Sequence, residues 1–153
     1  MNAILVDCAR ALARGDGLEP TLRAMLDAMS GPFAVGSAAV VVPARDSASL
    51  VIVASIGLDD TAAAGLTAAM RRPDHPVARA FSDPMPTYDV RPMNPGGPAL
   101  RSHLPLVIGR QGVDRVVGVL ALAYDRPIEP DTRPTVEAVA DLAAVAIELL
   151  DGG

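Results

Sequence analysis

The 153-residue sequence contains no lysine, no tryptophan and a single cysteine, Cys8. Without lysine, the chain cannot use a Schiff base, a P-loop or a lysine base, because each requires the side-chain amine. One cysteine permits neither an intrachain disulfide nor a cysteine-rich zinc site nor a redox cycle with a resolving thiol. These absences exclude several large classes of enzymatic site.

Aromatic residues and positive charge are also scarce. Only 3% of the residues are aromatic while 50% are hydrophobic, so the core must be built from aliphatic side chains. The formal net charge of −5 argues against a nucleic-acid partner, because phosphate binding needs a basic face. The start MNAILVDCAR lacks the basic and long apolar regions of a secretory signal. We expect a cytoplasmic, bacterial protein that does not associate with a membrane.

The stretch DRVVGVLALAYDRP, residues 114–127, contains no polar side chain between Val116 and Ala123. Eight residues are too few to cross a bilayer as a helix, which takes roughly 20. The run therefore predicts a strand with no face in water, at the centre of a sheet that helices cover on both sides.

Hydrophobic periodicity and turn residues divide the rest of the chain into helices and strands. Helices at both ends of the sequence can cover one face of the sheet, and the middle helices can cover the other. Residues 82–101 hold five of the 14 prolines and two of the 13 glycines, which predicts an irregular loop with one brief strand near 85–90. The predicted helices are 3–14, one from Pro20 to 29, 61–72, 75–81 and about 132–150, and the other strands are 37–44, 50–56, 103–109 and 116–124.

The last predicted helix is apolar around most of its circumference. Glu137, Asp141 and Glu148 share a narrow polar face, so the helix must bury two sides. One side can pack on the sheet. The other needs either the first helix or a second subunit.

The order of these elements resembles the GAF domain, over residues 3 to 150. The most specific similarity is ALRSHLPLVIGRQGVDRVVGVLALAYDRPIEPDTRPTVEAVADLAAVAIELL, and HPVARAF is similar to the family's short helix beside its cavity. The resemblance implies an α+β, GAF-like three-layer α/β/α sandwich with a central, mostly antiparallel sheet of five or six strands. Terminal helices would cover one face, with short helices and a ligand-side loop on the other. We expect residues 1–153 to form a single GAF-like domain.

The ligands known in the family can be tested against the residues present. The Asn-Lys-Phe-Asp-Glu constellation of cyclic-nucleotide-binding members is absent, because there is no lysine, although another nucleotide-binding mode stays open. Cys8 lies on the apolar stripe of the first helix, which argues against bilin attachment and favours a buried hydrophobic role. Haem would need His75 or His103 as a ligand; the alternatives are helix capping or solvent exposure for His75 and a structural hydrogen bond for His103. No metal or catalytic site is predicted, and any cofactor is unknown.

Charge is distributed unevenly along the chain. Residues 71–103 contain five arginines and three aspartates, net +2, whereas the rest contains eight arginines and fifteen carboxylates, net −7. The positive segment falls on the layer that lines the family's cavity, and the guanidinium fork suits carboxylate or phosphate. The alternative is that these arginines are solvated or paired with Asp83 and Asp89. We predict ligand-binding roles for Arg79, Tyr88, Arg91, Arg101 and His103, with Tyr88 supplying a ring or a hydroxyl.

These features predict a regulatory, non-catalytic sensor domain of bacterial signal transduction. An anionic small molecule would enter between the sheet and the 82–101 loop, which can close over it. The signal would pass through the terminal helices, which we expect to pair in a homodimer. The alternative is a dimerisation or scaffold module without a ligand, because the alanines of the third helix would allow it to pack closely on the sheet. Enzymatic activity is not expected, since no set of residues supports it.

Overall fold

The computed structural model describes residues 2–45, 49–92, 98–110 and 112–150. Each predicted helix and strand is present, with ends that differ by a few residues. The largest extension is at the strand predicted for 103–109, which begins at Leu100. The elements are α1 (Ala3–Arg14), α2 (Leu18–Ser30), β1 (Val35–Pro43), β2 (Leu50–Ile56), α3 (Asp60–Ala69), α4 (Pro76–Ser82), β3 (Thr87–Val90), β4 (Leu100–Arg110), β5 (Val113–Tyr124) and α5 (Arg133–Leu150).

The five strands form one antiparallel sheet in the order β2-β1-β5-β4-β3. The unusually apolar strand β5 is at its centre, paired with β1 on one side and β4 on the other. Residues 117–120 are buried, and none between Val116 and Tyr124 is exposed. The prediction of a central strand without a wet face is confirmed, as is the α+β sandwich.

The terminal helices α1, α2 and α5 cover one face of the sheet. The main core lies in this layer and contains the buried side chains of Leu22, Met29, Leu104, Leu120 and Ile147. Helix α5 packs on the sheet with one side and on α1 and α2 with another. Its broad apolar surface is therefore covered largely within the same chain.

The opposite face carries α3 and α4 over a smaller core, formed by Val41, Met70, Val77, Ala80 and Val119. Helix α3 has no buried residue, so its alanines do not fill the space above the sheet. It also ends at Ala69 and not at Arg72 as predicted, because the backbone turns more tightly there. The amide of Arg72 donates to the carbonyl of Ala69, three residues back.

The predicted irregular segment 82–101 contains the edge strand β3, whose register with β4 shifts between Thr87 and Val90. The cause is Asp89, which has a left-handed backbone conformation with φ of 57°. Residues 93–97 of the segment lie outside the described residues. None of the described helices has both the length and the apolar character that a membrane crossing requires.

Candidate functional site

A cavity of about 750 Å³ lies between the sheet and the layer formed by α3 and α4. Two rows of side chains, each crossing β1, β5 and β4, form its floor. One row is Ala39, Ala121 and His103, and the other is Ser37, Ala123 and Arg101. The small side chains on β1 and β5 leave room that larger aliphatic residues would fill. The volume is in the range of ligand-binding pockets, about 300–1,000 Å³.

Among the described residues, four arginines line the cavity together with a single carboxylate, that of Asp74. Arg101 is held at its strand, where Nη1 donates to the carbonyl oxygen of Pro98 at 2.7 Å. The arginines form no ion pair with any acidic residue in the part of the chain that the structure describes. The cavity therefore presents an excess of positive charge. The four side chains are Arg72, Arg79, Arg91 and Arg101.

His103 is a buried imidazole on the cavity floor, with 8% of its surface exposed. Burial lowers the pKa of His103 to about 4, and the positive charge of His75 and Arg101 acts in the same direction. No described residue forms a hydrogen bond with its ring. The structural hydrogen bond considered for His103 is therefore not formed there, and a neutral imidazole is left to bind a polar group in the cavity.

His75 caps the N-terminus of α4 and also lines the cavity. Its Nδ1 accepts a hydrogen bond from the amide of Val77 at 3.2 Å. Burial lowers the pKa of His75, Arg72 lowers it further, and Asp74 opposes both. The capping role considered for His75 from the sequence is confirmed.

Tyr88 lies outside the cavity lining, so its predicted place in the ligand site is corrected. Its hydroxyl donates to Glu137 Oε2 of α5 at 2.9 Å, and its ring lies 4.5 Å from the guanidinium of Arg133. Burial raises the pKa of Tyr88, with a further contribution from the hydrogen bond to Glu137. Tyr88 follows Thr87, the partner of His103, so regular alternation places it on the opposite face, against α5. The left-handed Asp89 interrupts the alternation only after Tyr88, and Val90 lines the cavity.

Most of the lining residues were missing from the sequence-based set, and Arg72 and Ser37 are two polar examples. Arg72 was expected within a helix, but it follows the end of α3 and reaches the cavity from the turn. Ser37 follows from the alternation of β1, two residues before Ala39. Cys8 is fully buried in the core on the other face, and burial together with Asp7 raises its pKa to about 11.

Solved structures show the same architecture. The GAF domain of a phosphoenolpyruvate-protein phosphotransferase from Acinetobacter has a TM-score of 0.69 and 13% identity, with 97% of this chain and 95% of that chain covered. The GAF-B domain of DevS from Mycobacterium smegmatis has a TM-score of 0.62 and 26% identity, covering 90% and 93%. The GAF domain of a putative sensor histidine kinase from Pseudomonas syringae pv. tomato has a TM-score of 0.64 and 19% identity, covering 95% and 85%. The chain has the fold of GAF domains.

The chain matches no protein-family profile, and no curated protein is significantly similar to its sequence. Its cavity combines a cationic wall, an aliphatic floor and a neutral imidazole. Ser102 and His103 are neighbours on β4, so their side chains point to opposite faces of the sheet. The Ser102 hydroxyl is hydrogen-bonded to Tyr124 on the face that α1, α2 and α5 cover. No group of three or more His, Cys, Asp or Glu side chains among the described residues is arranged to hold a metal ion. What this arrangement can do is bind an anion with a small apolar body.

Proposed function

We propose that this GAF domain is a regulatory sensor in cytoplasmic, bacterial signal transduction and that its cavity binds an anionic small molecule without catalysis. The observation that carries the proposal is that the described lining of the cavity, which has alanines on its floor, contains four arginines and one carboxylate. A guanidinium binds carboxylate and phosphate through two parallel hydrogen bonds. The regulatory part is supported by structural neighbours from a phosphotransferase and a putative sensor histidine kinase.

The lining also favours a particular kind of anion. It contains no phenylalanine or tyrosine among its described residues, so a nucleobase would find no such ring to stack on. Ala39, Ala121 and Val77 offer an aliphatic contact surface, and His103 offers one hydrogen bond deep in the cavity. These features support a carboxylate or phosphate ester with a short aliphatic body and a hydroxyl or carbonyl group.

A thermal-shift screen against carboxylates, phosphates, amino acids, nucleotides and haem tests the proposal. A ligand at 100 times its dissociation constant adds about 2.7 kcal/mol to the free energy of unfolding. We expect aliphatic anions to stabilise the domain more than nucleotides or haem. If no anion raises the melting temperature, an anion sensor is the wrong function.

Arginine substitutions then locate the binding site of any anion found in the screen. Arg79→Ala and Arg101→Ala should each weaken binding by about tenfold or more, because each removes a hydrogen bond to a charged group. Arg23→Ala is a matched control, since Arg23 pairs with Glu19 on the surface of α2. Isothermal titration calorimetry measures the affinity of each of the three variants for the anion. Equal affinities in all three would reject this cavity as the binding site.

The alternative of a dimerisation or scaffold module with a collapsed, empty cavity and no ligand has less support. It required the alanines of α3 to pack closely on the sheet, but no residue of α3 is buried. The homodimer through the terminal helices is a separate part of our proposal. It is supported by Leu149 of α5, which the packing within one chain leaves 67% exposed.

A further inference from the structure

A polar cluster lies on the face of the sheet that α1, α2 and α5 cover, where β3, β4 and β5 meet the first turn of α5. Asp89 is at its centre. Oδ1 of Asp89 accepts from the hydroxyl of Tyr124 at 2.8 Å and from the amide of Ile128 at 3.1 Å. Oδ2 lies 3.2 Å from Nη2 of Arg133, which is the first residue of α5. One carboxylate thus joins an edge strand, the central strand and the terminal helix.

The backbone of Asp89 is fixed by the same cluster. Its φ of 57° is a conformation that aspartate tolerates better than most residues, and its amide donates to the Tyr124 hydroxyl at 2.9 Å. The Tyr124 hydroxyl also bonds the hydroxyl of Ser102, so its single donor and both acceptor positions are used. The geometry of β3 at this point is therefore set by side chains of β4, β5 and α5.

Each of the three strands in the cluster also carries a cavity residue next to its cluster residue. A displacement of a cavity residue displaces its neighbour, because the two share a peptide unit or lie two positions apart. In chain order, Asp89 precedes Val90 and Arg91, Ser102 lies between Arg101 and His103, and Tyr124 follows Ala123.

A second contact reinforces the link to α5. The guanidinium of Arg133 lies over the ring of Tyr88, and the Tyr88 hydroxyl bonds Glu137, one turn further along the helix. The first two turns of α5 are thus attached to β3 at Asp89 and at its neighbour Tyr88. The far end of α5 has a different attachment to the sheet, where Arg115 pairs with Glu148 at 2.6 Å.

We infer that Asp89 is a positioning residue that fixes Arg91 at the cavity and, through Arg133, transmits cavity occupancy to the first turns of α5. The inference rests on the proposed function and names the regulation of the same site. An anion drawn between Arg91, which follows β3, and Arg101 of β4 shifts Asp89, and with it the anchor of α5. Since coupling between two sites is reciprocal, a change in α5 also alters the cavity end of β3.

The first test uses the protein without ligand. Arg133→Met removes the guanidinium but keeps a long apolar side chain, and Arg115→Met does the same to the ion pair at the far end of α5. Hydrogen exchange measured by mass spectrometry should be about fivefold faster for residues 87–92 and 100–103 in Arg133→Met than in the parent chain. In Arg115→Met those residues should exchange at the parent rate. Equal exchange at 87–92 in both variants overturns the inference.

The second test uses citrate as the probe anion. In the parent chain, saturating citrate should change exchange at residues 128–137. This response should be lost in Asp89→Asn, which keeps the size and the backbone preference of aspartate, and in Tyr124→Phe, which removes only the hydroxyl. Arg115→Met should keep the response. Binding of citrate to the parent chain without any change at 128–137 overturns the inference while the sensor proposal stands.

The two proposals fail in different ways. If neither citrate nor any anion in the thermal-shift screen binds, the anion sensor is overturned, and the ligand-free comparison of Arg133→Met with Arg115→Met alone decides whether Asp89 couples α5 to β3. If citrate binds and both variants at Asp89 and Tyr124 respond as the parent does, the coupling takes another route and the inference is wrong.

Discussion

At the scale of single residues, the same type of side chain takes different roles according to the face on which it lies. His75 is half-buried and caps a helix, whereas His103 is buried on the cavity floor and has no described hydrogen-bond partner. Tyr88 and Tyr124 are the two tyrosines, and both serve the attachment of α5 and not the cavity. Residue type alone therefore does not identify the ligand contacts.

His103 should make the stability of the ligand-free domain depend on pH. Its pKa is about 4 in the folded state and 6.5 without burial, so the unfolded chain binds a proton first as pH falls. Above pH 6.5 the imidazole is neutral in both states and leaves the free energy of unfolding independent of pH. Between pH 6.5 and 4 the free energy of unfolding falls by up to about 3 kcal/mol. Urea denaturation of the parent and of His103→Gln should show a shallower pH dependence in the variant. Parallel curves would contradict this prediction.

Cys8 should react very slowly in the native state. It is fully buried and its pKa of about 11 leaves little thiolate at neutral pH. At pH 8 we expect Ellman's reagent to modify it at least about 100-fold faster in denaturing guanidinium than in buffer, because reaction requires opening of the core. Similar rates under both conditions would show that α1 does not bury the thiol.

At the scale of helices and strands, the sequence was most informative where the hydrophobic pattern was long. The period of α1 and α5 and the apolar run of β5 predicted these elements closely. The end of α3 was not predictable from propensity, because the alanines and arginines at 68–72 favour a helix while Pro73 and the tight backbone turn end it. That turn brings Arg72 to the cavity.

The positive charge expected around the cavity is present in its lining, while the ligand-binding roles of the individual residues stay predictions. Arg79, Arg91, Arg101 and His103 line the cavity, since the positive segment coincides with its layer. Tyr88 does not, because it is one residue from Thr87, the partner of His103, and faces α5. At the left-handed Asp89 the alternation is interrupted, so Val90 and not Asp89 lines the cavity. A strand with regular alternation can be assigned faces from the sequence, but a single residue with positive φ cannot be seen there.

Gly118 in the centre of β5 should tolerate no side chain. A β-carbon there would lie 2.9 Å from the carbonyl oxygen of Val41 and 3.2 Å from Cδ1 of Ile147. Gly118→Ala should lower the free energy of unfolding by about 1–3 kcal/mol, because the neighbouring strand and α5 must move apart. Gly65→Ala is the control. It lies in α3 with open space around it, so the same change should raise stability by up to about 1 kcal/mol.

At the scale of the whole molecule, the sandwich separates two tasks. The face under α1, α2 and α5 contains most of the core, while the face under α3 and α4 keeps an open cavity. The layered fold was predictable, because helices at both ends and in the middle of the chain could cover the two faces of a sheet. The element that packs against the second side of α5 was not predictable, since the sequence allowed either α1 or a second subunit.

The proposed homodimer predicts a mass of twice one chain in size-exclusion chromatography with light scattering. Leu149→Glu should shift the equilibrium towards monomer, because it places a charge in the exposed apolar part of α5. Val113→Glu is the control, since Val113 is 70% exposed at the start of β5. A monomer at high concentration, or an equal effect of both substitutions, would count against pairing through the terminal helices.

The left-handed backbone at Asp89 has one more consequence, for aggregation. An edge strand with a regular row of free amide and carbonyl groups invites another polypeptide to extend the sheet. Strand β3 is only four residues long, and Asp89 turns its amide inward to Tyr124. A neighbouring molecule therefore finds no continuous ladder to join at this margin, so the residue that anchors α5 also keeps concentrated protein from polymerising through β3.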